Sequence, residues 1–327
     1  MLELIPTSQR RTIDELDDRL DLRIGDSRAK LSAFWVMLVL SGVIAVSGVV
    51  ADSTATVIGA MIVAPLSTPI LGVGLGIVSG RGRLVLASLG LILAGVVIVV
   101  ALGAVVAQLL PNPTNVLANS QVLGRTSPTL VDLLAALATG LVGAIAITRR
   151  DVGDVLPGVA IAISLVPPLG VVGVCLGSGA PALALGAFVL FASNVVAMII
   201  TSVVVLTIGG YGREAARKRE DSGLNRRRAY LVLAIALVAV AIPMVLFSLT
   251  SLWSRQISTT TDTWLTDAGV TTGEVTGVSW SGDKVTVNVL APADLPPVAD
   301  LQQMIDDVLP WDPQVEVLHT VGGREPA

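Results

Sequence analysis

Between residues 31 and 208 the chain is nearly uncharged, while residues 1–30 and 209–230 hold most of its cations. That segregation constrains the fold more than any other feature. A soluble domain carries about a quarter charged residues. Here 14% are charged, 53% are hydrophobic and the mean hydropathy is +0.80. Long apolar runs bounded by charged segments read as an integral membrane protein. Because charged residues 1–30 precede the first run, a cleavable signal peptide is not expected.

Seven stretches are long and apolar enough to span a membrane: roughly 32–51, 54–79, 84–110, 129–148, 155–177, 182–208 and 230–252. Each reaches about 20 residues, the length that crosses about 30 Å of hydrocarbon. With seven spans, the N-terminal segment and the loops after helices 2, 4 and 6 fall on one side. They hold seventeen of the twenty-one Lys and Arg, leaving Arg125, Arg255, Lys284 and Arg324 on the other. The positive-inside rule then predicts a cell-membrane protein with a cytoplasmic N-terminus and an extracytoplasmic C-terminus. Phe34, Trp35 and Trp253 suit interfacial anchors.

Two of these spans are interrupted. APLSTPILG (64–72) places Pro65 and Pro69 inside helix 2, and Pro167-Pro168 stand inside helix 5. Proline removes a donor and obstructs the preceding turn, and in hydrocarbon the freed backbone groups need other partners. PILGV (69–73) is answered by PPLGV (167–171), in helices that run in opposite directions. Helices 1–3 and 4–6 thus read as a 3+3 inverted repeat, with helix 7 added. Broken helices at equivalent positions of inverted repeats point to a midplane solute site. Ser67 or Thr68 would cap the half-helix beginning near Pro69, and Ser164 stands before the second break. The half-helix N-termini favour an anion or a polar dipole, whereas the ends of the preceding halves could hold a cation. Ser193-Asn194, in the middle of helix 6, either glues helices together or reaches into a cavity. The candidate site is therefore Ser67, Thr68, Pro69, Gly72, Ser164, Pro167, Pro168, Gly170, Ser193 and Asn194. Asp52, Asp132 and Asp154, near helix N-termini, complement helix dipoles or couple to protons. Gly72, Gly76 and Gly80, and Gly173 and Gly177, have the spacing of close helix packing.

The flanks are distinct. Thr12-Ile13-Asp14-Glu15 fits a capping box opening a charged helix through about Ile24, which would ride the membrane interface or touch a neighbouring subunit. Residues 111–129 read as a lid or, more simply, as a solvated connection. Residues 253–327 read as a small α+β domain: a helix over 255–268, two strands around Ser281-Gly282-Asp283-Lys284, a helix after Pro296-Pro297, and a third strand carrying a structural His319. The expected division is 1–30, 31–252 and 253–327.

Several function classes are disfavoured. A net charge of −4 does not suggest a nucleic-acid partner. Cys175 and His319 are the only residues of their kinds, too few for a disulfide, a cysteine or histidine metal site, or an intramembrane Ser-His-Asp triad. No enzyme activity, no cofactor and no metal are expected, and no nucleotide-binding motif is present.

VIGAMIVAPLSTPILGVGLG, LPGVAIAISLVPPLGVVG and LFASNVVAMI together resemble the signature blocks of a bacterial and archaeal membrane family, domain of unknown function 389, the "uncharacterised hydrophobic domain" family. The resemblance covers roughly residues 30–210 and implies a membrane fold without implying a substrate. Ser67-Thr68 departs from it, standing where a more apolar or Gly-containing pair is expected. The reading of the residues is a transporter or channel-like facilitator of a small polar or ionic solute, in the lipid bilayer and as a homo-oligomer. The alternative is a non-transporting scaffold or sensor whose outer domain binds a ligand or partner.

Overall fold

A computed structural model describes residues 5–152, 165–218, 226–270, 273–281, 284–291 and 295–322. The chain divides into two compact units, Met1–Val245 and Leu246–Ala327.

In the first unit a short helix α1 (Ile13–Leu20) precedes α2 (Ser27–Val50), α3 (Thr54–Val63), α4 (Ser67–Ser79) and α5 (Gly82–Leu109). A 3-10 turn (Pro113–Ala118) and α6 (Ser120–Thr126) lead to α7 (Leu130–Thr148). After them come α8 (Val166–Gly177), α9 (Pro181–Ile208), α10 (Tyr211–Lys218) and the start of α11 (Arg226–Asp267). Among the described residues five helices are long and apolar enough to cross a membrane, or six if the bent pair α3–α4 is one span. The protein is thus a multi-pass membrane protein. Of the expected fifth span only α8 is described; Asp154 and Ser164 lie outside the described residues.

The first break forms where the prolines demand it. Ala64 ends α3 with extended geometry (φ −65°, ψ 122°), because a residue before proline is pushed out of the helical region. The axis turns by 46° into α4. Pro69 then sits in the first turn of α4, where a missing N–H is tolerated. The expected side-chain cap is absent: α4 begins at Ser67, and the capping position is Leu66 with no side-chain bond.

The two half-helices form the centre of the bundle. Every residue from Pro69 to Ser79 is buried in α4, as is every residue from Val166 to Cys175 in α8. A helix apolar on all sides is buried on all sides. α5 packs on both α4 and α8, and α9 does the same. Small residues permit the approach. A Cβ on Gly173 would collide with the Val100 carbonyl and Gly103 of α5, and one on Gly74 with Ser202 of α9. The outer side of α5, with Leu86, Leu93 and Val97 exposed, suits lipid.

Segments that the charge pattern assigns to one side meet at one end. Arg10 pairs with Glu214 (2.7 Å), Arg150 with Glu15 (2.8 Å), and Arg81 with Asp17. The Arg11 amide donates to the Thr148 carbonyl (2.9 Å), and the Tyr211 hydroxyl donates to the Arg11 carbonyl (2.8 Å). α1 carries the expected capping box between Thr12 and Glu15 but ends at Leu20. It does not ride free: Ile13, Leu16 and Leu20 are buried, and the helix packs on α4 and α10 of its own chain. At the opposite end Asn119 donates to the Val49 carbonyl (3.0 Å) and Ser178 to the Pro113 carbonyl (2.9 Å). Residues 111–129 are not a solvated connection, since Val116, Gln121, Val122 and Thr126 are buried. Their final turn crosses α9 so closely that a Cβ on Gly186 would overlap the Thr126 carbonyl.

In the second unit β1 (Glu274–Ser281) pairs antiparallel with β2 (Lys284–Ala291), and β2 pairs parallel with β3 (Gln314–Val321), in the order β1-β2-β3. α12 (Val298–Asp306) supplies the crossover that a parallel pair needs. Val285, Val287 and Val289 alternate inward against Ile257, Trp264, Leu301 and Ile305. Two expectations change. The separate helix over 255–268 is the continuation of α11, because residues 253–268 contain no proline or glycine to end it. Trp253, expected as an interfacial anchor, instead packs with Trp311 (ring centroids 4.4 Å) and Trp280. His319 bonds to the Ala291 carbonyl (3.2 Å), a structural role.

Gly186→Ala should destabilise the protein by about 1–3 kcal/mol, as overpacking does. Ser202→Ala removes a buried hydroxyl that has no partner among the described residues and should be neutral or stabilising; thermal unfolding in detergent distinguishes them. The Arg150 side-chain hydrogen bond, with the Thr12 amide, holds Glu15 at about 2, down from 4.5. A depressed carboxyl stabilises above its unfolded pKa and loses that contribution as pH falls through its folded one. The stability difference between wild type and Glu15→Gln should therefore persist at pH 6 and vanish between about pH 4.5 and pH 2.

Candidate functional site

A cavity of about 260 Å³ lies in the first unit, lined by Met61, Gly124, Arg125, Asp132, Ala135, Ala136, Leu190 and Asn194. Four elements build it: the last turn of α3 just before the break, the C-terminal turn of α6, the first turns of α7, and the middle of α9. Asn194 is thirteen residues into α9, so at about 1.5 Å per residue it lies roughly 20 Å along that helix.

Each polar group is positioned by local structure. Asp132 is the third residue of α7, and its Oδ2 accepts from the Thr129 amide (2.7 Å) and hydroxyl (2.8 Å) in a capping box. Arg125 stands in the last turn of α6, where a cation complements the helix dipole. Its Nη1 donates to the Gln121 carbonyl (2.8 Å) and to Gln121 Oε1 (3.0 Å). Among the described residues no carboxylate lies within 4.0 Å of it, Asp132 included. Burial pushes the Arg125 pKa down from its ordinary value, the mark of a charge held partly out of water. Asn194 is 6% exposed.

Asp52 acts at a distance. It takes a left-handed backbone conformation (φ 50°) in the turn after α2. Its Oδ1 accepts from the Ser120 hydroxyl (2.7 Å) and the Gln121 amide (3.2 Å). The Ser120 hydrogen bond, with the backbone amides, holds its pKa below the usual carboxylate range. Asp52 thus caps α6 from another loop, and α6 carries Arg125 to the cavity.

The structure brings together only some of the sequence-derived candidates. Asn194 and Asp132 share the cavity. Ser193 is fully buried and gives its hydroxyl to the Leu190 carbonyl (2.8 Å). Ser67 and Thr68 are half-buried at the start of α4, and Pro69 is buried beside them; none lines the cavity. Gly72 faces Ser88 and the Leu20 carbonyl, and Gly170 faces Val46, so both serve packing. Pro167 and Pro168 are buried at the head of α8. Met61 places the cavity beside the first break, and no described residue of α8 lines it; Leu66 and Ile70 of α4's start, and Leu165, Val166 and Leu169 of α8's, belong to one apolar cluster. Arg125 is the residue that motif reasoning passed over. A signal existed: Arg125 and Asp132 are the only charged residues between Arg83 and Arg149.

The family described as "domain of unknown function (DUF389)" matches residues 61–200. An uncharacterised protein of Methanocaldococcus jannaschii is 30% identical over 202 residues, which are 62% of this chain. The match spans 60% of that relative's length. No solved structure matches. Every residue lining the cavity, from Met61 to Asn194, falls inside the matched segment. Residues 61–200 of the chain are thus similar to the DUF389 family.

Proposed function

We propose that the protein is a secondary transporter or channel-like facilitator of a small polar or ionic solute, and that the cavity between α3, α6, α7 and α9 is its solute site. One observation carries this reading: Arg125, Asp132 and Asn194 converge on one space in an otherwise apolar bundle. Ionisable groups at such places are costly to keep and mark solute pathways, and a concave site with a few convergent polar groups is the usual form of a small-molecule site.

The packing supports a pair of inverted repeats. α5 and α9 are both 28 residues long, and each crosses the half-helix of the other half. Gly103 of α5 meets Gly173 of α8; Ser202 of α9 meets Gly74 of α4. Each pair is the other displaced by 99 residues. By the positive-inside rule the end bearing the Arg10–Glu214, Arg150–Glu15 and Arg81–Asp17 pairs is cytoplasmic. The cavity then lies toward the outer half, with the N-terminal segment closing the inner end. The cell membrane, an outer C-terminal unit and association of several copies complete the proposal.

A second reading, a sensor or scaffold acting through the C-terminal unit, has its own observation. There a cavity of about 250 Å³ is lined by Ser251, Ser254, Arg255 and Ser258 of α11 and by Val275, Thr276, Gly277 and Val278 of β1.

Two experiments test these proposals. With the buried Cys175 replaced by Ala, Thr114→Cys should react with an impermeant maleimide on intact cells, and Arg217→Cys only after permeabilisation; the reverse pattern overturns the orientation. In proteoliposomes loaded against a panel of ions and small metabolites, Arg125→Gln should lower flux of the transported solute by about 10- to 100-fold. That is the scale of losing about 1.5–3 kcal/mol of charged hydrogen bonding. Arg255→Gln should leave flux unchanged. Binding that depends on Arg255 and ignores Arg125 would favour the sensor reading.

A further inference from the structure

Resting on the transport reading above, we infer that the solute is a small zwitterion of the amino-acid type, its carboxylate on Arg125 and its ammonium group toward Asp132. The argument begins with what these side chains leave unused. Among the described residues Arg125 uses only Nη1, toward Gln121. Among the described residues its Nε and Nη2 have no acceptor, and these two form the fork that receives a carboxylate through parallel hydrogen bonds. Asp132 commits Oδ2 to Thr129, while Oδ1 accepts no hydrogen bond among the described residues.

Both groups line the same cavity from different helices, yet they form no ion pair within 4.0 Å. Opposite charges facing one space without closing on each other present a dipole. A simple anion would satisfy Arg125 and be repelled by Asp132; a simple cation would meet the converse. A solute with both charges and no net charge satisfies the two together, and the lining is likewise neutral in sum. A volume of about 260 Å³ lies below the roughly 300–1,000 Å³ of sites for drug-sized ligands, which limits the solute to a small member of the class.

The test is thermal unfolding of the full-length protein in detergent. The probes are a set of small amino acids including L-alanine, with propionate and ethylamine as its two halves, and a set of sugars and inorganic ions. A saturable rise in unfolding temperature is expected with at least one amino acid, and propionate and ethylamine should each bind about tenfold more weakly or worse. Arg125→Gln and Asp132→Asn should both abolish the rise, and Arg255→Gln should keep it. If either variant is too unstable to purify, equilibrium dialysis of radiolabelled amino acid against Arg125→Lys and Asp132→Glu replaces it. Both keep the charge and should bind more weakly than wild type. Equal binding of propionate and the amino acid, unaffected by Asp132→Asn, would overturn the zwitterion and leave the transport reading with an anion. Stabilisation by sugars or inorganic ions alone, lost in Arg125→Gln, would do the same with another solute class. No saturable effect from any probe would overturn both readings.

Discussion

In hydrocarbon, a backbone N–H or C=O without a partner costs several kcal/mol, so a chain can leave the helical path only where protein surrounds it. The architecture of the first unit follows from that constraint. Pro65 interrupts the second span, and the helix that follows is buried on all sides. α8, headed by Pro167 and Pro168, is buried as completely. The full-length helices α2, α5 and α9 pack around these short ones and turn their remaining faces to lipid. Glycines at the crossings are a consequence: a half-helix can be enclosed only if backbones come nearly into contact, as Gly103 and Gly173 do.

The ends of the bundle are organised by charge. Three ion pairs and the backbone bonds of Arg11 and Arg150 tie the N-terminal segment to the end of α7, to α10 and to the start of α5. Surface pairs contribute little singly, but a network joining four segments of the chain defines one end. At the other end no ion pair forms among the described residues; there Asp52 accepts from Ser120 and Gln121, and Asn119 donates to Val49, which holds α6 in place. The line from Asp52 through the start of α6 to Arg125 is the clearest case here of a structural contact setting up a chemical one.

How much was legible in the sequence depended on how local the physics was. The long apolar helices among the described residues, the first proline break, the Thr12–Glu15 capping box and the alternating valines of β2 are settled within one or two turns or strands, and the structure has them where periodicity places them. Even the grouping of loops at two ends follows from counting spans. The extent of α1 and the continuity of α11 were less legible, since they depend on which surface receives each helix.

By itself, the sequence determined a multi-pass membrane unit with an interrupted second span and a small sheet-containing C-terminal unit. Tertiary structure alone decided that α1 docks on its own chain through Asp17–Arg81 and Glu15–Arg150, and that Arg125, Asp132 and Asn194 meet at one cavity. Those partners lie between 7 and 135 residues apart in the chain. Hydrophobic period fixes which face of a helix turns inward, but not which other helix it meets. The meeting of charges is set by packing, and packing is a property of the whole bundle.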